Sequence, residues 1–126
     1  MVVGLGTDMI EISRVRNSLA RFGDKFRNRI FTPAEIAYCE SRIRGSAESY
    51  AARFAAKEAA AKALGTGISR GVSWLEIEVR RAPGHPPTLH FSGRASQHAQ
   101  RLGVTRASLS LTHARETALA VVVLES

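Results

Sequence analysis

Cysteine, aromatic residues and long apolar runs are all scarce in this chain. Its 126 residues include a single cysteine, Cys39. No disulfide can therefore close within the chain, which suits a reducing cytosol and makes a cytoplasmic location the expectation. Cys39 itself reads as a half-buried helix residue without a role. Aromatics make up 6% of the chain, and no segment clusters them as a base-stacking sheet such as K/R-G-F/Y-G/A-F does, which argues against nucleic-acid recognition. No apolar run approaches the roughly 18–20 residues that cross a bilayer, so no membrane partner is expected. The opening MVVGLGTDMIEI has no basic stretch and carries Asp8 early, which argues against a secretory signal. His85, His90 and His98 lack metal-ligand spacing and read as surface residues. The phosphate-binding pattern G-x-x-x-x-G-K is absent. Repeats, low-complexity tracts and linkers are absent too, so one domain over residues 1–126 is expected.

What the chain does have is an ordinary globular balance, with 44% hydrophobic and 23% charged residues, and an excess of positive charge. The net charge of +7 favours an anionic partner: nucleic acid, a phosphorylated ligand or an acidic protein. Much of it lies in RVRNSLARFGDKFRNR, residues 14–29, which reads equally as a solvated helix face or a docking surface.

The pattern of elements predicts an α+β domain with a mainly antiparallel sheet. Residues 2–12 alternate as a strand, with Val3, Leu5, Thr7 and Met9 on one face and Gly4, Gly6 and Asp8 on the other. Ser13 can cap a helix running to about Ala20, with Gly23 as its stop. A short basic turn of helix follows. Thr32-Pro33-Ala34-Glu35 is a helix start with cap, proline and capping box in order. Arg44-Gly45-Ser46 breaks the chain before an alanine-rich helix that ends at Gly65-Thr66-Gly67. WLEIEVR and TLHFS read as strands around the turn APGHPP. Residues 93–102 form a short helix, and ASLSLTH and ALAVVVLE two last strands around 114–116. The order is β, three helices, β, β, α, β, β.

The central helix carries the candidate residues. At about 100° per residue, Ala52, Ala55, Ala56, Ala59, Ala60 and Ala63 gather on one broad face that can lie close to a sheet. Phe54, Glu58 and Lys62 follow the neighbouring flank, and Arg53 and Lys57 another edge. Glu58 and Lys62 at i and i+4 could be only a surface ion pair, worth about 0.3–0.5 kcal/mol. The N-terminal strand adds a second feature. In Gly4-x-Gly6-x-Asp8 both glycines share the face of the carboxylate, and strand glycines mark close approach of a ligand or another backbone. A strand aspartate and a helix glutamate could hold one Mg²⁺ by two oxygens, with water and phosphate oxygens completing the octahedron. Lys62 would then neutralise a transferring phosphoryl group.

GLGTDMIEISRV, FTPAE, RFAAKEAAAKALGTG and SLTHARETALAVVVLE together resemble the short bacterial type of 4′-phosphopantetheinyl transferase, the holo-acyl-carrier-protein synthases. The likeness spans almost the whole chain in order, and its most specific signatures are G-x-D near the N-terminus and K-E-A-x-x-K on the helix. It implies transfer of 4′-phosphopantetheine from coenzyme A to a serine of apo-acyl carrier protein, releasing adenosine 3′,5′-bisphosphate, in support of fatty acid biosynthesis. By that resemblance Asp8 and Glu58 are the Mg²⁺ ligands. The serine proton goes to a metal-bound water or to one of these carboxylates, and Lys62 stabilises or protonates the leaving phosphate. Arg53 resembles the family's contact to the nucleotide phosphates. Gly65, Thr66 and the turn Gly84-His85-Pro86 fall where the family lines the coenzyme A site. Arg14, Arg21 and Lys25, with Phe26 as an apolar contact, match the basic helix that docks on the carrier protein. His113 holds the S-[IL]-[ST]-H position, with a contact to coenzyme A or a neighbouring protomer as its implied role and a structural turn histidine as the plain alternative. Ser108, where many relatives have histidine, and Ala114, in place of a hydroxyl residue, depart from the pattern. A ferredoxin-like fold and a homotrimer with shared active sites are implied by the same route. The competing classes are a small basic nucleic-acid-binding domain, supported by charge alone, a metal-dependent nuclease, and a noncatalytic synthase subunit. The last would not need Asp8, Glu58 and Lys62 together.

Overall fold

The computed structural model describes all residues, 1–126. Its elements are β1 (Val2–Glu11), α1 (Ile12–Phe22), α2 (Asp24–Ile30), α3 (Pro33–Glu40), α4 (Ser46–Leu64), a 3₁₀ turn (Trp74–Glu76), β2 (Ile77–Arg80), β3 (Thr88–Phe91), α5 (Gly93–Arg101), β4 (Arg106–His113) and β5 (Thr117–Glu125). The antiparallel α+β class holds, but the strands form two sheets, β1-β5-β4 and β2-β3. Four helices, not three, lie between the first two strands, because the basic turn after Gly23 is a full helix.

Local chemistry explains most boundaries. Gly23 ends α1 with φ 57° and its N–H donates to the Leu19 carbonyl, a backbone setting that glycine adopts cheaply. Ser13 is not the cap of α1: Glu11 holds that position and no side chain caps the helix, since the chain passes straight from strand to helix. At α3 the capping box forms in full, with Thr32 accepting from the Glu35 N–H and Glu35 accepting from the Thr32 N–H. Gly65, at φ 82°, closes α4, and the Gly67 N–H reaches back to the Ala61 carbonyl at 3.1 Å. The strand expected over WLEIEVR begins only at Ile77. Its first three residues wind into the 3₁₀ turn, where the Glu76 carboxylate accepts from the N–H of Ser73 and of Arg94.

The alanine-rich helix is the axis of the molecule. One side packs Ala55, Ala59 and Ala63 with Ala120, Val122 and Leu124 of the central strand β5. The other side packs Tyr50, Ala51 and Ala52 with Ile12, Val15, Ile30, Phe31 and Cys39. A helix enclosed on nearly all sides needs no single apolar stripe, which is why its expected edge residues Arg53 and Lys57 are buried too. Cys39 is likewise fully rather than half buried, and burial pushes its thiol up to about 12, so it is inert.

The glycines of β1 have a steric cause. A Cβ on Gly6 would overlap the Ala59 carbonyl, and one on Gly4 the Ala63 carbonyl. The approaching backbone is α4 itself. That contact brings Asp8, next along the same strand face, to the flank of α4. The opposite face of the sheet is bare: Leu5 is 66% and Met9 67% exposed, paired with Val123 and Leu119 of β5.

Candidate active site

Asp8 lies on β1 against α4, and Lys62 reaches it from the helix. The Lys62 ammonium donates to Asp8 Oδ1 at 3.0 Å and to the Thr7 carbonyl at 3.1 Å. The surface pair Glu58–Lys62 is therefore not what forms; the lysine crosses to the strand. Asp8 is 18% and Lys62 51% exposed, so the lysine can swing toward solvent or a ligand. Glu58, half-buried one turn before Lys62, has its carboxyl held above the ordinary range, chiefly by burial, then by the charge of Asp8, with Lys62 opposing. Two carboxylates thus face one ammonium, and the ammonium bonds only one of them.

This donor set fits magnesium and not an all-protein metal cage. No group of three or more His, Cys, Asp or Glu side chains converges in the structure, whereas magnesium takes one or two carboxylates and keeps sites for water and phosphate oxygens. The repulsion between Glu58 and Asp8 is the condition that a divalent cation relieves.

A second group of the expected residues lies at the other end of α4. Arg53 and His113 line one cavity of about 320 Å³ with Tyr38, Arg42 and Arg81. The Arg53 guanidinium is 4.1 Å from the centre of the Tyr38 ring and donates to the Ser49 carbonyl at 3.4 Å. Its Nε is buried without a partner. Arg53 forms no ion pair, so its charge is available to an anion entering the cavity. Gly84 lines the adjoining cleft with Arg42 and Arg81, while His85 and Pro86 stand exposed in the turn beyond. Arg42 and Arg81 were missed in the sequence, where neither falls in a motif.

Gly65 and Thr66 are not part of that cavity. Lys62 lies nine positions along the helix from Arg53, a rise of about 13.5 Å, and Gly65 and Thr66 follow Lys62. The Thr66 hydroxyl is taken up by the turn, donating to the Gly67 carbonyl at 2.7 Å. Within one chain the expected site residues therefore divide into two groups.

The residues expected to dock a carrier protein sit on a third surface. Arg14, Arg21 and Lys25 are exposed and Phe26 is half-buried. Phe22, Phe26, Ile30 and Trp74 form an apolar groove edged by Lys25 and Arg29, with the Arg21 guanidinium 5.2 Å from the Phe22 ring centre. Phe22, Arg29 and Trp74 were not anticipated, because no local pattern brings residue 74 to α1 and α2. Phe54 leads from this groove to the carboxylates: its ring centroid is 4.9 Å from that of Trp74, and it precedes Glu58 by one helical turn.

An α+β domain with a strand aspartate, a helix glutamate and a lysine meeting across a glycine-cleared contact defines a class, and comparison with known proteins identifies it. The chain belongs to the 4′-phosphopantetheinyl transferase superfamily, whose family model matches residues 4–122. Within that superfamily its similarity is to the holo-[acyl-carrier-protein] synthases. The protein of that name from Koribacter versatilis is 53% identical over 125 residues, 99% of each chain. The crystal structure of the Neisseria meningitidis holo-[acyl-carrier-protein] synthase superposes with a TM-score of 0.89 at 36% identity, covering 100% of both chains. That of the Helicobacter pylori enzyme in complex with coenzyme A gives 0.84 at 32% identity, over 96% of this chain and 99% of the other.

Proposed function

We infer that this chain transfers the 4′-phosphopantetheine group of coenzyme A to a serine of apo-acyl carrier protein. The observation that carries the reading is the Asp8–Glu58–Lys62 arrangement, within a chain that matches holo-[acyl-carrier-protein] synthases end to end. The serine oxygen forms a bond to the phosphorus of the phosphopantetheine arm. The bond from that phosphorus to the bridging oxygen breaks, and adenosine 3′,5′-bisphosphate leaves.

Asp8 and Glu58 would hold Mg²⁺, which would supply charge neutralisation for the pyrophosphate. Lys62 moves its ammonium from Asp8 to the leaving phosphate and donates a hydrogen bond or proton there. The serine proton passes to the carboxylates or to a water that they hold. Arg53, with Arg42, Arg81 and His113, receives the phosphates of the nucleotide half, and Gly84 borders it. Gly65 and Thr66 contribute backbone near Lys62, and His85 and Pro86 shape the outer turn. Arg14, Arg21 and Lys25 dock the acidic carrier protein, with Phe26 and the groove behind it taking an apolar contact.

The separation of the phosphate cavity from the carboxylates is met by a homotrimer, in which neighbouring protomers complete one another's sites. The apolar sheet face, with Leu5 and Met9 exposed and Leu119, Val121 and Val123 half-buried beside them, supports this, since patches of that kind mark contacts. Residues 1–126 act as one unit, since both apolar cores share α4. No helix is long and apolar enough to cross a membrane, and we place the reaction in the cytoplasm, serving fatty acid biosynthesis.

Intact-mass spectrometry of an apo-acyl carrier protein incubated with the chain, coenzyme A and Mg²⁺ tests the reading. A gain of one phosphopantetheine group, abolished by EDTA, is expected. No gain with several carrier proteins would overturn it.

A further inference from the structure

Lys57, next to Glu58 in sequence, takes no part in the reaction as derived, yet it is the most completely bonded side chain of α4. It is fully buried with Glu35, whose carboxylate Oε1 lies 2.6 Å from the ammonium. The two remaining N–H bonds go to the Ile30 carbonyl at 2.8 Å and the Trp74 carbonyl at 3.0 Å. Glu35 is equally engaged, accepting from the Thr32 N–H and from the Val79 N–H, each at 2.8 Å. One ion pair therefore ties the end of α2, the start of α3, the 3₁₀ turn and β2 to the centre of α4.

Two of those tied residues are walls of the groove. Ile30 and Trp74 both line it, and no other side chain of α4 bonds their backbone. A buried pair of this kind is weak evidence for stability, because apolar residues of similar volume commonly serve as well. Its better-attested use is to select one geometry among several. Here the selected geometry is the distance from groove to carboxylate.

We propose that Lys57 is a positioning residue for the carrier protein: its bonds to Ile30 and Trp74, backed by Glu35, hold the docking groove in register with Glu58. The inference rests on the transferase reading, with the groove as the place where the carrier protein sits. It separates two steps that share the helix, since Lys57 is buried against Ile30 and Trp74 and does not line the cavity of Arg53 and His113.

The test uses Lys57→Met/Glu35→Gln, which removes both charges; the glutamine oxygen keeps the capping box at Thr32 and gives up the acceptor for the Val79 N–H, a change that both variants share. Its partner is Glu35→Gln alone, which leaves Lys57 bonded to Ile30 and Trp74. Steady-state kinetics with apo-acyl carrier protein, coenzyme A affinity by calorimetry and the fluorescence of Trp74, the only tryptophan, are measured on the full chain. The double variant is expected to raise KM for carrier protein by at least about tenfold with a much smaller change in kcat. Its coenzyme A affinity stays as in the unaltered chain, and its Trp74 emission moves to the red and becomes more readily quenched. Glu35→Gln should keep the original KM and emission. An unchanged KM and emission in the folded double variant overturns the proposal, as does an equal loss of coenzyme A affinity. A double variant unfolded at the assay temperature, or a Glu35→Gln variant with the same defect, assigns the pair to stability and overturns it too. If the unaltered chain modifies no carrier protein, the transferase reading fails instead, and the Trp74 emission still decides whether Lys57 sets the groove.

Discussion

Lys57 and Glu58 are neighbours in sequence and opposites in environment. Lys57 points inward, and each of its three N–H bonds has an acceptor. Glu58 points to a half-open flank, where its nearest charged neighbours are a repelling carboxylate and a lysine bonded elsewhere. Saturation holds a structure in place, whereas an unmet charge leaves room for a ligand to complete the set. Inspection of charge pairs alone would rank the buried pair first, but the proposed chemistry rests on the incomplete one.

The largest effect that breaks this comparison is on turnover. Glu58→Gln keeps the volume and removes the charge, so transfer should fall by roughly 10²–10³-fold, the range for losing one preorganised electrostatic contact. The intact-mass assay measures it directly, with the circular dichroism spectrum unchanged. Wild-type turnover in that variant would remove Glu58 from the mechanism.

The mirror experiment acts on stability. Lys57→Met alone leaves the Glu35 carboxylate buried without its counter-charge, which costs about 3–5 kcal/mol. Chemical denaturation should show that loss, and a loss below about 1 kcal/mol would mean that water reaches the pair. The two single substitutions should thus exchange phenotypes: Glu58→Gln stable and inactive, Lys57→Met destabilised.

The sequence made one side of this contrast far more legible than the other. Gly4-x-Gly6-x-Asp8 and K-E-A-x-x-K are local patterns, so the carboxylates, the lysine and the close approach of strand and helix could be read from spacing. The capping box at Thr32, the stop at Gly65 and the alternation of β5 were legible for the same reason. Lys57–Glu35 was not, because its partners come from four segments joined only by the tertiary fold. A signal was present all the same: the alanines flanking Lys57, in AAKEAAA, describe a helix enclosed on nearly all sides, and a lysine turned to its enclosed side must find a buried partner. The groove of Phe22 and Trp74 and the arginines at 42 and 81 had no such signal, being long-range juxtapositions of unremarkable residues.

A smaller effect sharpens the role of the basic surface. Arg21→Glu reverses an exposed charge beside Phe22 without touching either acid–lysine group. The KM for carrier protein should rise roughly tenfold at low salt, with coenzyme A affinity unchanged. The difference should shrink as ionic strength approaches 0.1 M or more, where the Debye length is about 10 Å. A fall in coenzyme A affinity instead would move Arg21 from the docking face to the nucleotide.

The smallest effect concerns Glu58 without metal, and its sign distinguishes a strained carboxylate from a stabilising one. Burial and Asp8 hold its carboxyl above the usual range in the folded chain. An acid whose folded value is raised binds its proton more tightly folded than unfolded, so folding is favoured at low pH and that advantage is lost as pH rises through the folded value. At neutral pH and in EDTA the ionised Glu58 therefore opposes folding. Glu58→Gln should raise Tm slightly there, and the gap to the unaltered chain should close as pH falls below the ordinary glutamate value of 4.5. Adding Mg²⁺ should raise the Tm of the unaltered chain but not of the variant, because a bound cation stabilises the folded form only where its ligands are intact. A variant less stable than the parent in EDTA would mean that Glu58 is held by partners as complete as those of Lys57. The difference between the two flanks of α4 would then vanish.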